Sequence, residues 1–155
     1  MHICLNSKPR KLTTTNYQAL DKDDSSLIGV VVCKLDDHLP RSRTSPRTLR
    51  GYIAMLAVAK AHRGKGIATA LVLQAIEAMQ RAGAHEIALE AEESNGSAIR
   101  LYQRLGFLRS KKLHRYYLNG SSAYRLILPL RPGLRIEDEA LHDPNARWLF
   151  DPNVS

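Results

Sequence analysis

The feature that most constrains this chain is a strand, a glycine turn and a helix in immediate succession. Arg50-Gly-Tyr-Ile-Ala-Met-Leu-Ala-Val58 is apolar and of strand length, and His62-Arg63-Gly64-Lys65-Gly66-Ile67-Ala68 follows it. Apolar residues then recur at Ile67, Leu71, Ala75 and Ala78, with a flanking set at Ala68, Val72, Ile76 and Met79. Those spacings describe a broadly buried helix, and Arg81 and Gly83 mark its end with a basic last turn and a residue that tolerates a left-handed cap. The chain offers β-branched Leu27–Leu35 and the short apolar stretch Glu86–Ala91 as strands. Ser94 or Asn95 caps a second helix, with Ala98, Leu101, Tyr102 and Leu105 on one face and Gly106 at its close. A strand from Phe107 to Leu118, a turn at Asn119-Gly120 and a return strand through Tyr124, Leu126, Leu128 and Leu130 complete the order, with Pro129 where pairing must stop. The expected fold is α+β, an α/β mixed sheet with helices packed on its faces.

Residues 1–26 lack periodicity and read mostly as loop, and Asp36–Thr48 reads as an exposed connection. The tail 132–155 is expected to be irregular, with Trp148, Leu149 and Phe150 as its apolar anchor. No apolar run approaches the ~18 residues that span a bilayer, so no membrane segment is expected, nor is a signal peptide in Met1–Lys11. Cys4 and Cys33 occupy no disulfide or zinc spacing, and His62 and His114 have no ligand partners nearby in sequence. No metal is expected, and two free thiols fit a reducing cytoplasm.

The formal charge is +8 at neutral pH. Arg41, Arg43, Arg47 and Arg50 form one basic cluster and Lys111, Lys112, His114 and Arg115 another. Neither is interleaved with the aromatics that stack on bases, which argues against sequence-specific nucleic-acid recognition. Attraction to a large anionic surface needs only the charge.

The turn after Val58 carries the clearest chemistry. A helix start presents unpaired N–H groups to an anion, Gly64 and Gly66 remove bulk, and Arg63 and Lys65 add charge, which suits a pyrophosphate. A P-loop would need glycine at Ala59 and a dinucleotide fingerprint glycine at Thr69, so neither applies. Arg63-x-x-Gly66-x-Ala68 between strand and helix resembles the acetyl-CoA loop of the GNAT acetyltransferase superfamily. Asn95-Gly-Ser97-Ala-Ile-Arg-Leu-Tyr102-Gln-Arg-Leu-Gly106-Phe107 resembles its second signature. Cys33-Lys-Leu-Asp36, Arg50–Val58, Leu89-Glu-Ala-Glu92 and Arg115-Tyr-Tyr-Leu-Asn-Gly120 are similar, more narrowly, to catalytic subunits of NatC-type protein Nα-acetyltransferases.

The resemblance covers residues 27–131 and implies a GNAT fold, a central twisted mixed sheet flanked by helices. It implies acetyl transfer from acetyl-CoA to the α-amino group of nascent proteins, typically with Met before a bulky apolar residue. NatC-type auxiliary subunits at the ribosome surface would be the partners. By the same resemblance, Arg63, Gly64, Lys65, Gly66, Ile67 and Ala68 hold the diphosphate, Asn95 and Ser97 face the CoA arm, and Leu56, Ala57 and Val58 bind pantetheine through their backbone. Glu90 is the base, since an α-amine with pKa near ~8 must lose a proton before attack; Glu92, on the same face of the strand, is a weaker substitute, and Glu93 points away. Tyr102 serves the departing thiolate and Tyr52 is a second catalytic candidate. Tyr116 and Tyr117 hold the peptide backbone, and Met55 lines the pocket for its first side chain.

The family usually carries a strand and two helices ahead of the Cys33 strand, with their loop forming a wall of the peptide site. Here that N-terminal part is short. The alternatives are therefore a GNAT enzyme of other amine specificity, acting on other N-termini or on lysine, and a CoA-binding subunit without turnover.

Overall fold

The computed structural model describes residues 2–6, 14–38 and 48–130. In chain order its elements are β1 (His2–Asn6), β2 (Thr15–Leu20), β3 (Leu27–His38), β4 (Thr48–Val58), α1 (Ile67–Arg81), β5 (Glu86–Glu92), α2 (Gly96–Arg104), β6 (Leu108–Leu113) and β7 (Ala123–Pro129). The strands form one seven-stranded sheet in the order β1-β2-β3-β4-β5-β7-β6. Every neighbouring pair is antiparallel except β4 and β5, which run parallel with α1 as their crossover.

The expected strands and helices are present, with β3 and β4 somewhat longer than their apolar runs. The loop expected over residues 1–26 is corrected: β1 and β2 extend the sheet from its β3 edge. In β2 only Tyr17 and Ala19 turn inward, at 4% and 0% exposure, and two inward positions are too few to stand out beside a polar Thr-rich run. The hairpin at Asn119-Gly120 is corrected as well. β6 ends at Leu113, Arg115 adopts φ 51°, and Gly120, not Asn119, has the positive φ of the pair. Asn119 Oδ1 accepts from the Ser121 amide, and the Gly120 amide donates to the Tyr117 carbonyl. Residues 114–122 thus form a folded loop, and Tyr116 and Tyr117 sit on it rather than on a strand. The tail with Trp148, Leu149 and Phe150, and the arginines Arg41, Arg43 and Arg47, lie outside the described residues.

Both helices pack on one face of the sheet. A Cβ on Gly51 would lie 2.5 Å from Met79 Sδ and 3.1 Å from Ile87, so α1 seats on β4 and β5 at a point where only glycine leaves room. A Cβ on Gly106, at the end of α2, would lie 3.3 Å from Leu128, and Leu128 stands opposite Ile87 in the ladder. The core between helices and sheet is filled by Leu71, Ile76, Ile87, Leu89, Phe107 and Leu126, each under 2% exposed. Side chains alternate along a strand, so Tyr52, Ala88, Glu90 and Arg125 belong to the opposite face.

Candidate active site

β4 and β5 are paired only at Arg50↔Glu86, Gly51↔Ile87 and Tyr52↔Ala88. Beyond that row β4 pairs with β3 alone and β5 with β7 alone, so the two strands part like an opened V. The cause is a bulge: Val32 faces Met55 while Cys33 faces Ile53, which leaves Ala54 as an extra residue in β4 two positions past Tyr52, the last residue shared with β5. A bulge bends and twists its strand. It leaves main-chain groups around Leu56, Ala57 and Val58 without a strand partner on the β5 side. These groups can accept an extended amide chain as an added strand.

Glu90 stands where β5 leaves β4. Its side chain is 4% exposed and both carboxylate oxygens are occupied: Arg125 Nε donates to Oε1 at 2.7 Å and the Tyr52 hydroxyl donates to Oε2 at 2.6 Å. A carboxylate buried to this degree requires such partners. Burial first, and then the hydrogen bond to Glu90, raise the Tyr52 phenol pKa far above the ordinary value, and Tyr116 adds a further contact. The Tyr116 and Tyr117 rings meet edge to face at 5.2 Å, so the 114–122 loop brings both tyrosines over this pair. Burial also raises the Tyr117 pKa, with Tyr116, Glu92 and Glu90 as the charges it senses. Glu92 ends β5 on the face of Glu90, whereas Glu93 is held elsewhere by Lys112 at 2.6 Å and the Tyr124 hydroxyl at 3.0 Å.

Tyr102 approaches from the other side of the sheet. It projects from α2 into the core, 6% exposed, with its ring edge-on to Phe107 at 5.5 Å. Burial, and then Tyr117, push its phenol up to about 12, so it is neutral and able to donate a proton at physiological pH. No hydrogen bond joins it to Glu90. Tyr117 is the residue that senses both groups electrostatically, at the mouth of the V.

The turn leading into α1 has Gly64 at φ 77° and Gly66 at φ 74°. A Cβ at either would meet nothing within 4 Å, so backbone conformation, not crowding, calls for glycine. α1 has no side-chain cap and no acidic residue in its first turn, which leaves its leading amides and partial positive charge available to an anion. Ile67 turns its side chain into the core at 4% exposure and offers only its amide. Arg63 Nε donates to the Val58 carbonyl at 3.1 Å, bracing the turn against the end of β4. Lys65 is exposed, Ala68 is half-buried, and Met55 is 49% exposed on the open face.

Asn95 caps α2: its Oδ1 accepts from the Ala98 amide at 3.1 Å and from Ser97 Oγ at 3.0 Å. Both side chains therefore have a structural task in addition to any contact with CoA. The residue that sequence reasoning passed over is Arg125. Its signal is a lone arginine inside the apolar strand Ala-Tyr-Arg-Leu-Ile-Leu, but its partner follows from the β5–β7 register, which pairs it with Glu90. Among the described residues no cluster of three or more His, Cys, Asp or Glu could hold a metal ion. No described helix is long and apolar enough to cross a membrane. A separate cleft of about 270 Å³, lined in part by Tyr17, Cys33, Leu49 and Met79, opens beside the C-terminal half of α1, away from Glu90.

A family model for GNAT acetyltransferases matches residues 7–107. N-alpha-acetyltransferase MAK3 of Arabidopsis thaliana is 54% identical over 101 residues, 65% of this chain and 50% of that protein. N-alpha-acetyltransferase 30 of Schizosaccharomyces pombe is 50% identical over 113 residues, 73% of this chain and 70% of that protein. Among solved structures, the NatC complex bound to Gag peptide and CoA superposes with a TM-score of 0.68 at 47% identity, covering 75% of this chain and 71% of that one. The chain spans about half the length of the first of these relatives. A family model that takes in β2 through the end of α2, with the parted parallel strands and the uncapped glycine turn at its centre, makes this chain a member of the GNAT acetyltransferase family.

Proposed function

We propose that the chain is a protein Nα-acetyltransferase of NatC type, transferring acetyl from acetyl-CoA to the α-amino group of protein N-termini. The observation that carries the reading is the conjunction at the V. Exposed strand edges and an uncapped helix start suited to CoA lie beside a buried Glu90–Tyr52 pair suited to handling a proton. Relatives 54% and 50% identical to it over 101 and 113 residues carry that activity in their names.

In this reading, the turn Arg63–Ala68 and the leading amides of α1 hold the diphosphate, and the main chain of Leu56–Val58 holds pantetheine. Asn95 and Ser97 flank the CoA arm. Glu90, positioned by its ion pair with Arg125, draws the amine's proton through the Tyr52 hydroxyl or a water. Attack forms the amide bond, the carbon–sulfur bond breaks, and Tyr102 donates the proton that the CoA thiolate takes up. Tyr116 and Tyr117 hold the peptide backbone, and Met55 contacts its first side chain, with Met followed by a bulky apolar residue preferred. Auxiliary subunits and the ribosome surface are the proposed partners, in the cytoplasm, and the complex in the matched NatC structure supports the first of these.

Acetyl-CoA is expected to raise the melting temperature, and a Met-Leu peptide to gain one acetyl on its α-amine by mass spectrometry. Acetylation of lysine alone would select a different amine specificity. The short N-terminal part, in which β2 begins at Thr15, whereas the family usually carries a strand and two helices ahead of the Cys33 strand, favours a second reading, a CoA-binding subunit; cofactor binding without peptide acetylation, with and without auxiliary subunits, would select it.

A further inference from the structure

Within Cys33-Lys34-Leu35-Asp36, Cys33 faces the core at 1% exposure, so alternation along β3 turns Lys34 and Asp36 onto the face opposite the helices. In the β3–β4 ladder Lys34 stands opposite Tyr52 and Asp36 opposite Arg50. Arg50 is engaged on its other side, where its Nε donates to Glu86 Oε1 at 2.6 Å. Asp36 instead accepts from a residue of its own strand: Lys34 Nζ donates to its Oδ2 at 2.6 Å. The ammonium so placed lies 5.3 Å from the centroid of the Tyr52 ring, within the ~6 Å of a cation–π contact.

An ion pair whose side chains are 45% and 50% exposed adds little to stability, so what it contributes is position. Tyr52 needs such a hold. It is the last residue of β4 paired with β5, and Ala54, the bulged residue beyond it, carries only a methyl. To pass on a proton, its hydroxyl must stay on Glu90 Oε2, where it lies at 2.6 Å. Arg125 Nε fixes the other oxygen of Glu90 and so sets where the carboxylate points. Tyr116 meets Tyr52 from the 114–122 loop, whereas Lys34 meets it from a strand in fixed register. We infer that Lys34, anchored by Asp36, is a positioning residue that clamps the Tyr52 ring and keeps its hydroxyl in line between the incoming amine and Glu90. The role in turnover rests on the proposed reading of Tyr52 and Glu90 as the proton-handling pair; the clamp itself is measurable without turnover.

Lys34→Met keeps a long side chain without its charge, while Lys34→Arg keeps a cation that stacks on aromatic rings. In the full chain labelled with carbon-13 at tyrosine Cζ, the Tyr52 resonance is assigned by its loss in Tyr52→Phe. It is expected to move toward the free-tyrosine position in Lys34→Met and in Asp36→Asn, as the bond to Glu90 is lost, and to return in Lys34→Arg. Far-UV circular dichroism should be unchanged throughout. A resonance that Lys34→Met or Asp36→Asn leaves in place, or that Lys34→Arg displaces as far as Lys34→Met does, overturns the inference. With a Met-Leu peptide, Lys34→Met is expected to lower kcat about 10-fold at unchanged KM, and Lys34→Arg to restore most of it. In a Tyr52→Phe background, Lys34→Met should cost nothing further. A loss expressed in KM, or one that adds to the loss in Tyr52→Phe, would make Lys34 a substrate contact and also overturns the inference. Absence of acetylation by the wild type, with the resonance shifts as expected, would sink the enzyme reading and leave the clamp standing.

Discussion

At the scale of single residues, the Glu90 carboxylate organises the site because its two oxygens bind different partners. Arg125 supplies charge and Tyr52 an orientable hydroxyl. Glu90→Gln retains the shape and loses the charge. Its turnover of a Met-Leu peptide is expected to fall by about 10²-fold or more, with the acetyl-CoA thermal shift retained; unchanged turnover would move proton removal elsewhere. Tyr102→Phe preserves the contact with Phe107 and removes only the proton donor. It is expected to lower kcat by about 10²-fold with little change in KM. The raised Tyr102 value has a consequence for stability: folded and unfolded chains bind the proton equally below pH 10, and the folded chain retains it longer above. Stability from this group is therefore lost as pH rises from 10 through about 12. Urea unfolding should show that alkaline slope reduced in Tyr102→Phe. Cys33, 1% exposed, behaves in the same sense, because burial pushes its thiol from 9.0 to about 11. In a Cys4→Ser background the folded chain should resist thiol reagents at neutral pH. Glu90 and Tyr102 could be named as candidates from the sequence because each sits on a periodic element within a motif that resembles the family's. Arg125 was not, because its role depends on which residue a distant strand places opposite it.

Among the elements, α1 and α2 start in contrasting ways. α2 is capped by Asn95, and Asn95→Ala should cost about 1 kcal/mol by chemical denaturation. α1 begins at Gly66 with φ 74° and no cap. Gly66→Ala forces a side chain into the left-handed region at a cost of roughly 1–2 kcal/mol, although the added methyl touches nothing. Under the proposed reading it should also weaken acetyl-CoA binding, measured by calorimetry, because it disturbs the aim of the leading amides. Both helices were legible from their spacing and caps. β2 and the loop 114–122 were not: β2 takes its identity from pairing with β3, and the loop forms because Arg115 turns left-handed after β6, which no local propensity favours.

For the molecule as a whole, the proposed cosubstrate is bound by parts that meet only in the folded state. Acetyl-CoA at 100 times its Kd is expected to stabilise the chain by about 2.7 kcal/mol, equivalent to roughly 5–10 °C in Tm. A mixed sheet carrying helices was readable from the succession of elements, but the seven-strand order with β7 between β5 and β6 was not. The placement of both helices on a single face was not, since apolar periodicity tells a helix which side to bury but not which side of a sheet will receive it.

Ala54 gives that architecture a switch one residue wide. Without it, β3 and β4 would run in unbroken register, and β4 would lose the bend that carries it away from β5. Deleting this one alanine should let the parallel ladder close past Tyr52 and Ala88 like a zipper freed of its stop. The product would be a folded protein, at least as resistant to urea, whose melting temperature no longer responds to acetyl-CoA.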